Sequence, residues 1–164
     1  MSTVPLVEFA FRLADVGDAG AIRAILNQAY TDSWTKRGLL VRAATQNENE
    51  TRLQIADRSV YVLLHKGQIA GTVRVQRKEL RNEVVAYVTH LARRQGSAEL
   101  NIGQRLMTEA EGIARSFGAS LVTLDTAQEI DGLIAFYRAL GYESTGRFVH
   151  TSTAFWSLWF EKKV

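Results

Sequence analysis

Cysteine is absent from this chain of 164 residues, which excludes disulfide bonds, thiolate catalysis and cysteine-based zinc sites. No apolar run approaches the length of a membrane span, and no charged leader precedes an apolar core at the start. Cytoplasmic residence is the expectation. A basic stripe interleaved with aromatics is missing too. The Lys and Arg are scattered and the formal net charge is a mild +3, so nucleic acid is not expected as a ligand. No metal site is read. No repeat, linker or low-complexity tract divides the chain, and its length suits one domain, residues 1–164.

What is present is an ordered succession of periods. Phe9 to Leu13 reads as a short strand. Asp15 and Asp18 make a capping pair before Ile22, Ile25, Leu26 and Ala29, which line one helical face. Residues 31–45 lack a clean period and read as a loop or broken helix. Residues 46–58, with Leu53 and Ile55, suggest a second, mostly exposed helix. "SVYVLL" is a strand, "HKGQ" a turn and "IAGTVRVQR" a returning strand. "NEVVAYVTHLA" completes this meander.

The stretch "RRQGSAELNIGQRLMTEAEG", residues 93–112, begins as a loop and ends as a helix. Ile102, Leu106, Ala110, Ile113 and Phe117 recur at helical spacing, with Asn101 and Gln104 placed as an approximate capping box. Gly118 is placed to close this helix, and "SLVTLDT" follows as a buried strand. Strand 84–92, helix 102–117 and strand 120–125 then form a right-handed parallel crossover. Its opening loop lies at the carboxyl end of a strand and the amino end of a helix, where ligands collect in open α/β sheets. Leu133, Phe136, Tyr137 and Leu140 mark a further helix closed by Gly141. "YESTGRFVH" and "AFWSLWFEK" read as an antiparallel pair.

The passages "IGQRLMTEAEGIARSFGASLVTL" and "LIAFYRALGYESTGR" resemble the GNAT superfamily of N-acetyltransferases, over nearly the whole chain. They look like that family's cofactor-loop helix and its later helix, with a Phe-Tyr pair before a Gly-aromatic turn. The resemblance implies an α/β fold, a mixed, splayed β-sheet flanked by helices, with acetyl-CoA as cofactor. It implies transfer of an acetyl group to a primary amine of a small molecule or peptide by direct attack. The alternative is an acyl-CoA sensor or protein-partner binding module on the same fold. Aligned on Gly103, the three signature places of the family's loop hold Ala98, Asn101 and Gly103. Asn is the residue that best tolerates left-handed backbone angles where a glycine is missing.

By the same resemblance, backbone N–H groups from Glu99, Leu100, Asn101, Ile102, Gly103 and Gln104 would hold the diphosphate. Leu91, Ala92 and Arg93 would pair with the pantetheine arm as an added strand does. The Glu99 carboxylate is expected to repel the diphosphate and to weaken binding at low salt. Tyr137 would act as general acid for the departing thiolate. The base stays open. Tyr87 and Thr89 share one face of their strand and His90 takes the other, unless a bulge exchanges them. His90 has the better intrinsic pKa for taking a proton. His65 reads as a solvated turn residue and His150 as a strand-surface residue. Tyr30, Trp34 and Arg42 would face the acceptor, with Trp34 either an aromatic wall for an amine or a lid on the core. Trp156 and Trp159 fall on opposite faces of the last strand, and the face not used by the core could join a homodimer interface.

Overall fold

A computed structural model describes residues 8–149 and 154–164. His150 therefore lies outside the described residues. In chain order the elements are β1 (Phe9–Leu13), α1 (Ala19–Ser33), α2 (Glu48–Ala56), β2 (Val60–His65), β3 (Gln68–Leu80) and β4 (Glu83–Arg93). They continue with α3 (Ile102–Ser116), β5 (Leu121–Ala127), α4 (Asp131–Ala139), β6 (Glu143–Val149) and β7 (Trp156–Lys163). The strands form one seven-stranded sheet in the order β1-β2-β3-β4-β5-β7-β6. Among the described residues only β4 and β5 run parallel.

The tight connections follow from local chemistry. β2 and β3 are joined by Lys66 and Gly67, at φ 50° and 80°, the left-handed pair that a two-residue hairpin needs. Arg81 and Asn82 repeat this device between β3 and β4. Before α1, Asp15 accepts from the Gly17 N–H while Asp18 accepts from the Asp15 N–H, a completed capping box. Arg12 pairs with Asp18 at 2.6 Å and holds its carboxyl below the usual range.

The hydrophobic faces meet the sheet from both sides. Ile102, Leu106, Met107, Ala110 and Ala114 of α3 are buried with Val73, Val75, Ala86, Val88 and Leu124 of the sheet. On the other side Ile22, Ile25 and Leu26 of α1 and Ile55 of α2 pack on Val60, Val62 and Ala92. Among the described residues no helix is long and apolar enough to cross a membrane.

Of the two forms expected for residues 31–45, the broken helix is the one found: α1 runs to Ser33, and two 3-10 turns, Thr35–Arg37 and Arg42–Ala44, follow it. Two other local expectations need correction. The second helix is shorter than residues 46–58, because Asn47 caps it with Glu50 and leaves Gln46 outside, buried against Thr51 and Gln54. The capping box expected at the start of α3 does not form. Asn101 takes left-handed angles, φ 53° and ψ 41°, and its side chain makes no capping bond.

Candidate active site

β4 and β5 pair only from Val85–Leu121 to Tyr87–Thr123. Beyond these residues β4 loses its parallel neighbour while β5 stays paired to β7 as far as Ala127. The backbone of β4 past Tyr87 is therefore an exposed sheet edge on that side, able to bond an extended ligand. At the same place the β3–β4 register shifts. Arg74 faces Thr89, Thr72 faces Ala92, and Val73 is left opposite both His90 and Leu91. His90 sits at φ 52°, a conformation that costs a non-glycine residue on the order of 1 kcal/mol. This bulge exchanges the faces. Val88 and Leu91 both pack with the α3-side core, although an unbroken strand would place them on opposite sides, and Ala92 joins the α1-side cluster.

A cleft of about 540 Å³ opens over this edge. Its walls are Leu91, Ala92, Arg93 and Arg94 of β4 and its loop, Asn101 to Gln104 at the start of α3, and Leu133 and Phe136 of α4. Gln28, Asp32 and Ser33 of α1 close the far side. The first N–H groups of a helix have no partner within it, and the uncapped Asn101 leaves those of α3 to a ligand. Gly103 lies beneath the Phe136 ring, where a Cβ would stand 3.2 Å from Cζ. The helix also comes close to the sheet here. A Cβ at Gly71 would meet Ile102 Cγ2 at 2.6 Å and the Ala92 carbonyl oxygen at 2.9 Å. Edge, amide-bearing helix start and cleft together fit a long ligand with an anionic diphosphate. Glu99 and Leu100 do not line the cleft; Glu99 is exposed and Leu100 packs against the core.

A second cavity, about 80 Å³, adjoins the cleft and shares Ala29, Ser33, Leu91 and Leu133 with it. Tyr30, Trp34, Thr89, His90, Asp125, Thr126 and Tyr137 line it. Tyr137 is buried, edge-on to Phe136 and Tyr142 with centroids 5.1 and 6.0 Å apart. It is thus a core aromatic that also reaches the cavity. Burial first, then Tyr30 and the Asp125 charge, push its phenol above the ordinary value, so it stays protonated. The Tyr87 hydroxyl donates to Asp125 Oδ1 at 2.5 Å across the place where the strands part. Burial and that carboxylate raise its phenol as well. His90 goes the other way. Burial and the Arg74 charge bring its imidazole from 6.5 down to about 4, so it is neutral at pH 7.

The structure thus brings Tyr137, His90, Tyr30 and Trp34 to one cavity, with Tyr87 behind Asp125. Trp34 is buried against Phe155 at 5.6 Å, where it covers the core, and it also borders the small cavity. Arg42 is not brought there. It is exposed, paired with Glu50, and borders neither space. Trp156 is exposed beneath Arg147, while Trp159 stacks on Phe148 at 4.6 Å. Sequence reasoning missed Asp125 and Thr126. The available signal was a carboxylate set in the otherwise apolar strand "SLVTLDT", since an aspartate is seldom placed in such a strand without partners.

The family model "Acetyltransferase (GNAT) family" matches residues 20–142. The chain belongs to the GNAT acetyltransferase family. It is by class an acyltransferase, with the mixed α/β fold of that family. Among solved structures it resembles yncA of Salmonella typhimurium, determined with its cofactor acetyl-CoA, at TM-score 0.75 and 15% identity over 94% of this chain and 93% of that one. It also resembles ribosomal-protein-alanine N-acetyltransferase from Brucella melitensis, at TM-score 0.76 and 18% identity over 94% and 99%. A third is paia N-acetyltransferase from Thermoplasma acidophilum in complex with coenzyme A, at TM-score 0.68 and 15% identity over 95% and 99%. These likenesses are of fold. No curated protein matches the chain in sequence.

Proposed function

We propose that this GNAT protein is an acetyl-CoA-dependent N-acetyltransferase that moves an acetyl group to a primary amine of a small molecule or peptide by direct attack. The observation that carries the reading is the meeting of the two cavities at the β4 bulge, where the large cleft and the small polar cavity share Leu91 and Leu133. A direct transfer needs two ligands to meet at one point, and this is such a point. That solved GNAT structures hold acetyl-CoA or coenzyme A supports the choice of cofactor.

Acetyl-CoA supplies the acetyl group in activated thioester form. The start of α3 would hold its diphosphate with the amides of Ile102, Gly103 and Gln104, and Arg93 at the mouth adds positive charge. The free edge of β4 at Leu91 and Ala92 would align the pantetheine by main-chain bonds. Tyr137, held protonated in the wall of the small cavity, is the proton donor for the departing thiolate. Tyr30 and Trp34 shield the acceptor from water. The test is free-thiol release from acetyl-CoA across a panel of primary amines. Amine-dependent release with a matching acetylated product supports the reading. Tight CoA binding with no release from any amine would replace it by an acyl-CoA sensor.

A further inference from the structure

The flank of α3 that faces β1 and β2 borders a groove that acetyl transfer leaves unused. Its volume, about 370 Å³, lies within the range of small-molecule sites. Leu63, which is buried, and the half-buried Phe9 supply an apolar surface, and Arg105, Thr108 and Glu109 of α3 line the groove beside them.

Arg105 and Glu109 stand four residues apart on one helix, a spacing at which opposite charges normally pair. Here they do not. Arg105 Nε donates to the Leu100 carbonyl oxygen at 3.1 Å, and the guanidinium carbon lies 3.8 Å from the centre of the Phe9 ring. These two contacts hold the guanidinium away from Glu109. Among the described residues no acceptor takes its Nη groups, and no cation pairs with the Glu109 carboxylate. The groove therefore presents a cation and an anion about one helical turn apart, beside an apolar patch.

Each class of guest fares differently there. A lone anion that reaches Arg105 is opposed by Glu109, and a lone cation meets the reverse difficulty. A neutral alkyl guest gains from Phe9 and Leu63 but takes water from two charges and returns no hydrogen bond. A molecule with a carboxylate and an ammonium on one carbon, and an aliphatic side chain, matches all three features.

We propose that this groove binds a free α-amino acid with an aliphatic side chain. Its carboxylate lies on the Arg105 Nη groups, its ammonium on Glu109 and its side chain on Phe9 and Leu63. A guanidinium can grip a carboxylate by two parallel bonds, which fixes the orientation. The groove and the cofactor cleft share only Asn101 and Gln104, so the amino acid sits beside the start of α3 without entering the cleft. This site stands whether or not the protein transfers an acetyl group.

The test is calorimetry on the full chain, with ligand in the millimolar range. The probes are L-leucine, 4-methylpentanoate and 3-methylbutylamine; the last two keep the side chain and lose the ammonium or the carboxylate. Leucine is expected to bind, with each analogue weaker by about three-fold or more. Arg105→Gln and Glu109→Gln, both at exposed positions, should each weaken leucine by about three-fold or more. Neither residue borders the small cavity, so these variants also tell the groove from an amine site there. No leucine binding, an analogue that matches leucine, or unchanged leucine affinity in both variants would each overturn the proposal. If a variant fails to fold, the wild-type ranking of the three probes decides. Leucine binding is expected to persist under saturating CoA. Its disappearance would give the groove to the far end of the cofactor and overturn the proposal. Persistent leucine binding without thiol release from any amine would sink the transferase reading and leave the groove standing.

Discussion

Phe136 lies over Gly103 so closely that a Cβ on the glycine would stand 3.2 Å from the ring's Cζ atom. Both residues line the large cleft, so a side chain at 103 must push the ring into the space the cofactor is proposed to fill. Gly103→Val is expected to weaken CoA binding by about 10-fold or more, since overpacking of this kind costs about 1–3 kcal/mol. The backbone at 103 is ordinary helix, where valine is no worse than glycine, so thermal unfolding should register only the displacement of the ring, about 1–3 kcal/mol. CoA titration beside a melting curve checks both. Normal CoA affinity in the valine variant would take the start of α3 out of the cofactor site.

Tyr137→Phe separates a proton donor from a packing aromatic. Phenylalanine keeps the edge-on contacts with Phe136 and Tyr142 and removes only the hydroxyl. If the hydroxyl donates to the leaving thiolate, kcat should fall by about 10²-fold while CoA affinity stays unchanged. Steady-state kinetics on the first amine found to be a substrate provides the measurement. Undiminished kcat would return Tyr137 to the core alone.

The parts of this site that were legible in the sequence are those governed by short-range rules. The 3.6-residue period announced α3, the Lys66-Gly67 turn fits its hairpin, and Asn101 took the left-handed angles that a missing glycine demands. The same angles undid the expected capping box, because a cap residue holds extended backbone when its side chain reaches the third amide. The bulge at His90 has no local signature. It is imposed by β3 on one side and by the loss of β5 on the other, and it decides which face His90 serves. Arg42 failed to reach the site because Glu50, one helical turn into α2, captured it. Such pairings depend on where two elements settle, which residue type and spacing do not encode.

His90 supplies a pH signature. Its imidazole is lowered to about 4 in the fold, against 6.5 when exposed. Above pH 6.5 both states are neutral and the full stability is present. As pH falls below 6.5 the unfolded chain binds a proton that the folded one does not, so stability declines until the folded value is passed. The loss between pH 6.5 and 4 is at most about 3 kcal/mol. Urea unfolding at several pH values should therefore show a shallower acid decline for His90→Asn than for wild type. Parallel curves would mean that the histidine is solvated.

Gly71→Ala tests the approach of α3 to the sheet. The added methyl carbon would stand 2.6 Å from Ile102 Cγ2 and 2.9 Å from the Ala92 carbonyl oxygen. Ile102 can turn, but the carbonyl belongs to the β3–β4 ladder and cannot move without breaking it. A loss of about 1–3 kcal/mol in urea unfolding is expected, together with weaker CoA binding as the helix start lifts from Ala92. Wild-type stability would show that the helix shifts freely, and would weaken the case for a preformed cleft.

Glu99 and Arg93 make a contrasting pair at the cleft. The sequence suggests that the Glu99 carboxylate opposes the diphosphate, yet Glu99 stands exposed on the short turn Ala98–Leu100 and borders no part of the cleft. Arg93 is also exposed but does line it. Water and salt damp an exposed charge over a screening length of about 10 Å at 0.1 M ionic strength. Glu99→Gln should therefore change CoA affinity by less than about two-fold, whereas Arg93→Gln should lose a few-fold at low salt and less at high salt. Calorimetry with CoA at two ionic strengths reads both. If Glu99→Gln tightens binding by more than Arg93→Gln weakens it, the diphosphate sits over the Ala98–Leu100 turn, and the amides of Ile102 to Gln104 no longer hold it.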